Sequence, residues 1–208
     1  MKHQRYGNSI IALAVALLLA LPSAMLAQNN HGSGEKPSSK TGNNSAANLG
    51  QLELSMQQNI GKDAKTFGRA QGEYWSIIAQ QQDFPRAYNF FSDLAAAHPS
   101  SPDVLGLEGS AIGGYIGWLY SPAAGKPVDE QFVIALDSKA RAAFEKALQI
   151  DSSNFYALFG YAIYESYNPT GAEHSKELFA RLESLKSSHP DYPWTVVEEF
   201  KKQRAAGK

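Results

Sequence analysis

From residue 62 onward apolar positions recur every three or four residues, the period of an amphipathic helix. No stretch alternates apolar and polar residues as a half-buried strand would. The spacing predicts helices over 62–81 and 84–97, the second with Ala87, Phe91 and Leu94 on one stripe and His98-Pro99 at its end. A third spans 102–119, with Pro102 at its first position, where a missing N–H costs nothing. The loop over 120–128 carries Ser121-Pro122 and Gly125-Lys126-Pro127. Asp129 then caps a helix running to Ile150, with Val133, Leu136, Ala140, Phe144 and Ala147 facing one way. Further helices are expected over 154–167, broken by Asn168-Pro169, and over 171–187, where Leu178, Leu182 and Leu185 share a face. Asp191 should start a last helix bearing Trp194, Val197 and Phe200, with Lys201, Lys202 and Arg204 at its favourable C-terminal end. The expected fold class is all-α.

The residues before this array have another character. Residues 1–27 have a positive start (Lys2, Arg5), an apolar charge-free run over 10–21, and small residues around Ala24 and Ala27, as a secretion signal does. Cleavage after either alanine would remove two positive charges and no negative one from a chain of net charge −1. The apolar run is short for a membrane span, which needs about 20 residues. An exported protein of the bacterial envelope, periplasmic or secreted, is therefore expected, anchored if the signal stays in place. No span is expected after its removal. Residues 28–61 read as a flexible tether, because 28–50 are rich in Asn, Ser and Gly and poor in large apolar side chains. The helical domain is expected over 62–208.

Near-neutral charge gives no footprint for nucleic acid, and the absence of cysteine excludes disulfides, thiolate metal sites and Cys nucleophiles. A 43% apolar fraction against 19% charged is enough to build a core.

The array also repeats. A shift of 53 residues lays Ala87 on Ala140, Phe91 on Phe144, Leu105 on Leu158 and Gly109 on Ala162, with Pro99 on Ser152 at the turn. Small residues fall where helices would touch, and an aromatic four residues on fills the adjoining space. Ala87-x3-Phe91 with Pro99, and Ala140-x3-Phe144 with Leu158 and Ala162, resemble the tetratricopeptide repeat family. The resemblance is clearest over 83–190. The family's period of about 34 residues leaves about 19 more to be absorbed by the 120–128 loop and a longer following helix. Ser152 stands where the pattern has Pro, Glu108 and Glu165 stand where it has apolar or aromatic residues, and Trp75 where it has a small one. The resemblance implies about three antiparallel helix pairs with a C-terminal capping helix. It also implies a concave groove lined by the first helix of each pair, here by Asp103, Gly106 and Ser110, and by Tyr156, Phe159, Ile163 and Tyr167.

Catalytic signals are absent. His98 and His189 each precede a helix-ending proline, where a histidine favours the helix dipole without further duty. No paired histidines, acidic calcium loop or strand-borne phosphate loop occurs, so no metal or cofactor is expected and no enzyme. Glu108 and Glu165 either face each other as a coupled pair or sit at helix edges, and the edge placement is expected. Gly106, Gly109, Gly113, Gly114 and Gly117 crowd one helix. They either admit a close neighbour or leave a trough for a ligand, at a cost of about 1 kcal/mol each against alanine. The expectation is a non-catalytic adaptor whose partner is another protein or a peptide, held in a Tyr- and Gly-rich groove, as small arrays are often held in larger assemblies. The alternative is a binder of a small molecule or glycan between helices 102–119 and 154–167. The Lys and Asn set with which some family members clamp a terminal carboxylate is missing from the groove positions.

Overall fold

Each predicted helix is a helix in the computed structural model, which describes residues 44–206. The chain is all-α, and no strand occurs among the described residues. Two units divide between Gln81 and Gln82. The expected signal over 1–27, and the tether as far as residue 43, lie outside the described residues.

The first unit holds α1 (Asn44–Asn59) and α2 (Ala64–Gln81), which pack on each other. Helix α1 occupies part of the expected 28–61 tether, and this is a correction. Leu49, Leu52 and Met56 stand on one helical face and are buried, while Tyr74 of α2 donates to Glu53 of α1 at 3.2 Å. The Asn- and Ser-rich composition hid this short stripe. A helix with so few apolar residues is marginal alone and relies on its neighbour. The helical part therefore begins before residue 62, and 64–81 belongs with α1 rather than with the later helices.

The second unit holds α3 (Phe84–Ala97), α4 (Pro102–Leu119), α5 (Glu130–Ile150), α6 (Phe155–Tyr167), α7 (Ala172–Ser184) and α8 (Trp194–Ala205). Its helix starts are written in local chemistry. The side chains of Asp83, Ser101, Asp129 and Asn154 each accept a backbone N–H of the first turn that follows. A short 3-10 turn, Pro122–Ala124, ends in Gly125 at φ 62°, a left-handed conformation suited to glycine. Two predicted bounds shift. Helix α7 ends at Ser184 rather than near 187, and α8 begins at Trp194 rather than at Asp191. Pro190 and Pro193 push their preceding residues out of the helical region, which delays α8.

Helix α4 is the hub, packed against α3, α5 and α6, while α6 also packs on α7 and α5. Helices α4 and α6 run parallel. Asp103 meets Asn154 at one end, Gly106 meets Ala157 next, and Gly113 meets Tyr164 further along. Helix α8 covers α6 and α7: Phe200 rests on Phe179 and Phe159, at ring distances of 5.4 and 6.2 Å. No helix among the described residues is long and apolar enough to cross a membrane.

Candidate functional site

The glycines of α4 are sockets. A Cβ at Gly106 would lie 2.7 Å from the Ala157 nitrogen and 2.9 Å from the Tyr156 carbonyl carbon, so the α4 and α6 backbones touch there. The Phe144 ring fills the space over Gly109, Tyr164 fills that over Gly113, and Phe84 that over Gly114. Only Gly117, among these five, faces open space. The close-neighbour reading accounts for four of the five glycines, and no trough remains at them.

The seven expected groove residues separate accordingly. Asp103, Ser110, Tyr156, Ile163 and Tyr167 are half-buried along neighbouring ridges of α4 and α6. Gly106 and Phe159 are not part of that strip, which corrects the expectation for both. Gly106 is buried against the α6 backbone. Phe159 is buried among Phe155, Phe179 and Phe200, so α7 and α8 enclose it. The missing side chain at Gly106 and the covering helix over Phe159 took them inside.

Within the strip, Asn154 donates to Asp103 at 2.6 Å. Burial raises the Asp103 pKa, Asn154 opposes that rise, and the nearby charge of Asp151 adds to it. The Ser110 hydroxyl donates to the Gly106 carbonyl at 3.0 Å, tying it to its own helix. The Tyr167 ring lies beneath the Arg204 guanidinium at 5.4 Å, and its hydroxyl is buried without a hydrogen-bond partner.

A second constellation joins α5, α6 and α7. The Glu165 carboxylate, 1% exposed, is held by Arg141 on α5. Arg141 also reaches Asp137 at 3.0 Å, and Tyr164 donates to Asp137 at 2.5 Å. Asn168 donates to Glu165 at 3.4 Å, and His174 Nδ1 stands 3.8 Å from it. Burial alone would lower the Arg141 pKa; Asp137, by hydrogen bond and charge, and Glu165, by charge, outweigh it and raise the value. Glu108 is also buried and pairs with Lys139 of α5 at 3.0 Å. Neither glutamate is at a helix edge, contrary to expectation, and each has its own cation. Sequence reasoning found both acids and missed both bases, although Asp137 and Arg141 carry the four-residue spacing of a helical ion pair. Carboxylates neutralised by fixed cations hold helices together. Among the described residues no His, Cys, Asp and Glu group has the makings of a metal site.

The histidines have structural duties. The His98 N–H caps α3 on the Leu94 carbonyl. His189 stacks on Tyr192 at 4.6 Å, and its carbonyl accepts the Trp194 indole N–H at 2.8 Å.

The tyrosines make a pH prediction. Burial, first of all, raises the pKa of Tyr156, Tyr164 and Tyr167, and pushes Tyr161 up to about 12. For Tyr164 the hydrogen bond to Asp137 adds to the rise. Above the ordinary value of 10.0, the unfolded chain loses phenolic protons that the folded chain keeps, so stability falls as pH rises through that point. We expect the unfolding midpoint in urea to drop steadily above about pH 10. Phenolate absorbance near 295 nm should rise in step with loss of helical circular dichroism. Full ionisation of all ten tyrosines with the helices intact would contradict the burial described here.

Comparison of the chain with family models, with curated proteins and with solved structures yields no match in any of the three.

Proposed function

We propose that the protein is a non-catalytic adaptor of the cell envelope, built as a tetratricopeptide-like array, that binds a peptide segment or partner domain along the α4/α6 face. One observation carries this reading. Asp103, Ser110, Tyr156, Ile163 and Tyr167 are half-buried on two parallel helices, one partly exposed strip of mixed apolar and polar groups in which the Tyr167 hydroxyl is turned inside. Such a surface suits recognition, since tyrosine brings large rigid contact area at low entropic cost. Helix pairs α4/α5 and α6/α7, with α4 against α6 and α8 over the last pair, support the repeat-like arrangement. The alternative, a small molecule or glycan held between α4 and α6, is less well supported. Gly106, Gly109 and Gly113, whose lack of side chains would open such a pocket, already have atoms of this chain against them.

Export and an envelope location rest on residues 1–27 and are part of the proposal. The test is capture from the envelope fraction of the source organism, comparing the native chain with Ile163→Glu. This change puts charge on the strip and leaves Phe159 and Gly106 intact. A protein retained by the native chain and lost by the variant, with unchanged circular dichroism, is the expected result. An identical set on both, or no protein on either, would remove the α4/α6 strip as a binding face.

A further inference from the structure

The C-terminal half of α4 carries a different surface, away from the 103–110 end of the strip. The rings of Tyr88 and Tyr115 stack at 4.9 Å, and Tyr115 and Trp118 at 5.7 Å, so Tyr115 is the middle of a run of three. Phe132 sets its edge against Tyr115 at 6.4 Å. Phe132 and Tyr120 are 42% and 38% exposed. The buried cluster of Ile112, Leu136 and Ala140 packs against Tyr88 and Tyr115.

This run has an occupied end and an open one. Lys139 Nζ sits 5.2 Å above the Tyr88 ring and is fixed there by Glu108. Among the described residues no cation stands over Trp118 at the other end, although Trp194, Tyr167 and Tyr164 each have one. Indole offers the best face for a cation. The charge around the open end is also negative. Trp118 lies in the last turn of α4, which has no basic residue to offset the partial negative charge of its carbonyls. Tyr120 donates to the exposed Glu130 at 3.1 Å, while the Asp129 carboxylate beside it is taken up in capping α5. Lys126 is the one base of the intervening loop.

We infer that the Trp118–Tyr120–Phe132 corner is a docking site for a cationic polypeptide segment, whose Arg or Lys side chain completes the run opposite Lys139. Charge complementarity chooses this occupant: an aromatic face, a helix C-terminus and the exposed Glu130 carboxylate attract a cation and repel an anion. Guanidinium is the better fit of the two bases, because it stacks flat on a ring while its edge donates to a carboxylate such as Glu130. The site is distinct from the Asp103–Tyr167 strip, and its occupancy does not depend on the adaptor reading of that strip.

The test uses the full-length chain labelled with 15N in its three tryptophans, with Trp118→Phe identifying the Trp118 indole resonance. The probe is an acetylated, amidated (Gly-Arg)4 peptide, and its control is the same peptide with citrulline, which keeps the shape and lacks the charge. The expected result is a saturable shift of Trp118, with Trp75 and Trp194 stationary. Affinity should fall about fivefold or more with citrulline, and fall again in Glu130→Gln, a surface change that spares the fold. Equal affinity for both peptides, a shift confined to another tryptophan, or no shift at millimolar peptide would overturn the inference. Ile163→Glu separates the two surfaces. If it abolishes the Trp118 shift, the peptide binds through the α6 strip, and the docking site falls while the adaptor reading stands.

Discussion

Replacing Arg141 with Met should destabilise the α3–α8 unit by about 3–5 kcal/mol, the usual result of removing one partner from a buried ion pair. The loss does not come from the attraction alone. It arises because the Glu165 carboxyl, 1% exposed, would be left out of water without the guanidinium against it. Asn168 at 3.4 Å and His174 at 3.8 Å soften the blow, which favours the lower end of that range. Asp137 loses a partner too, but its side chain is 42% exposed and water replaces the guanidinium there. The double variant Arg141→Met, Glu165→Leu should recover most of the loss, since an apolar pair of similar volume leaves no orphaned charge. Urea denaturation of the native chain, both single variants and the double variant gives the coupling directly. A single-variant loss below about 1 kcal/mol would mean that Glu165 is far better hydrated than its burial indicates.

Gly106→Ala and Gly117→Ala should move stability in opposite directions, although both replace glycine by alanine in the same helix. At Gly117 the new methyl group meets nothing within 4 Å, so the intrinsic preference for alanine shows. A gain of about 0.4–1 kcal/mol is expected. At Gly106 the methyl would press into the α6 backbone at 2.7 and 2.9 Å. A backbone cannot swing aside like a flexible side chain, so α4 and α6 must separate. A loss of about 1–3 kcal/mol or more is expected after the propensity gain is included. The two thermal or urea midpoints should therefore bracket the native value. Equal effects would show that α4 and α6 are not in backbone contact. Separation here would also disturb the proposed binding strip, which exists only while the two helices hold their register.

The start of every helix of the second unit except α7 and α8 could be read from its own residues: Asp83, Ser101 with Pro102, Asp129 and Asn154 are capping signals whose partners lie two or three positions away. The all-α class followed from the 3.6-residue period for the same reason. Five of the seven positions that the repeat resemblance implied are half-buried, but the sequence could not tell that α8 would fold over Phe159 or that α6 would come down on Gly106. Helix α1 was missed because Leu49, Leu52 and Met56 are a thin stripe in a polar segment.

What sequence by itself determined is everything decided within about four residues: the periods, the caps, the proline stops and the glycine density of α4. Tertiary structure alone decided what those glycines are for. It did so by bringing Phe144, Tyr164 and the Ala157 backbone against them from positions 35 to 51 residues further along the chain. It likewise decided the fate of Glu108 and Glu165, whose cations, Lys139 and Arg141, sit on a helix between them in the chain. The physical reason is common to both. Capping energies depend on neighbours along the backbone, whereas burial and charge pairing depend on which surfaces meet, and no local pattern encodes that choice.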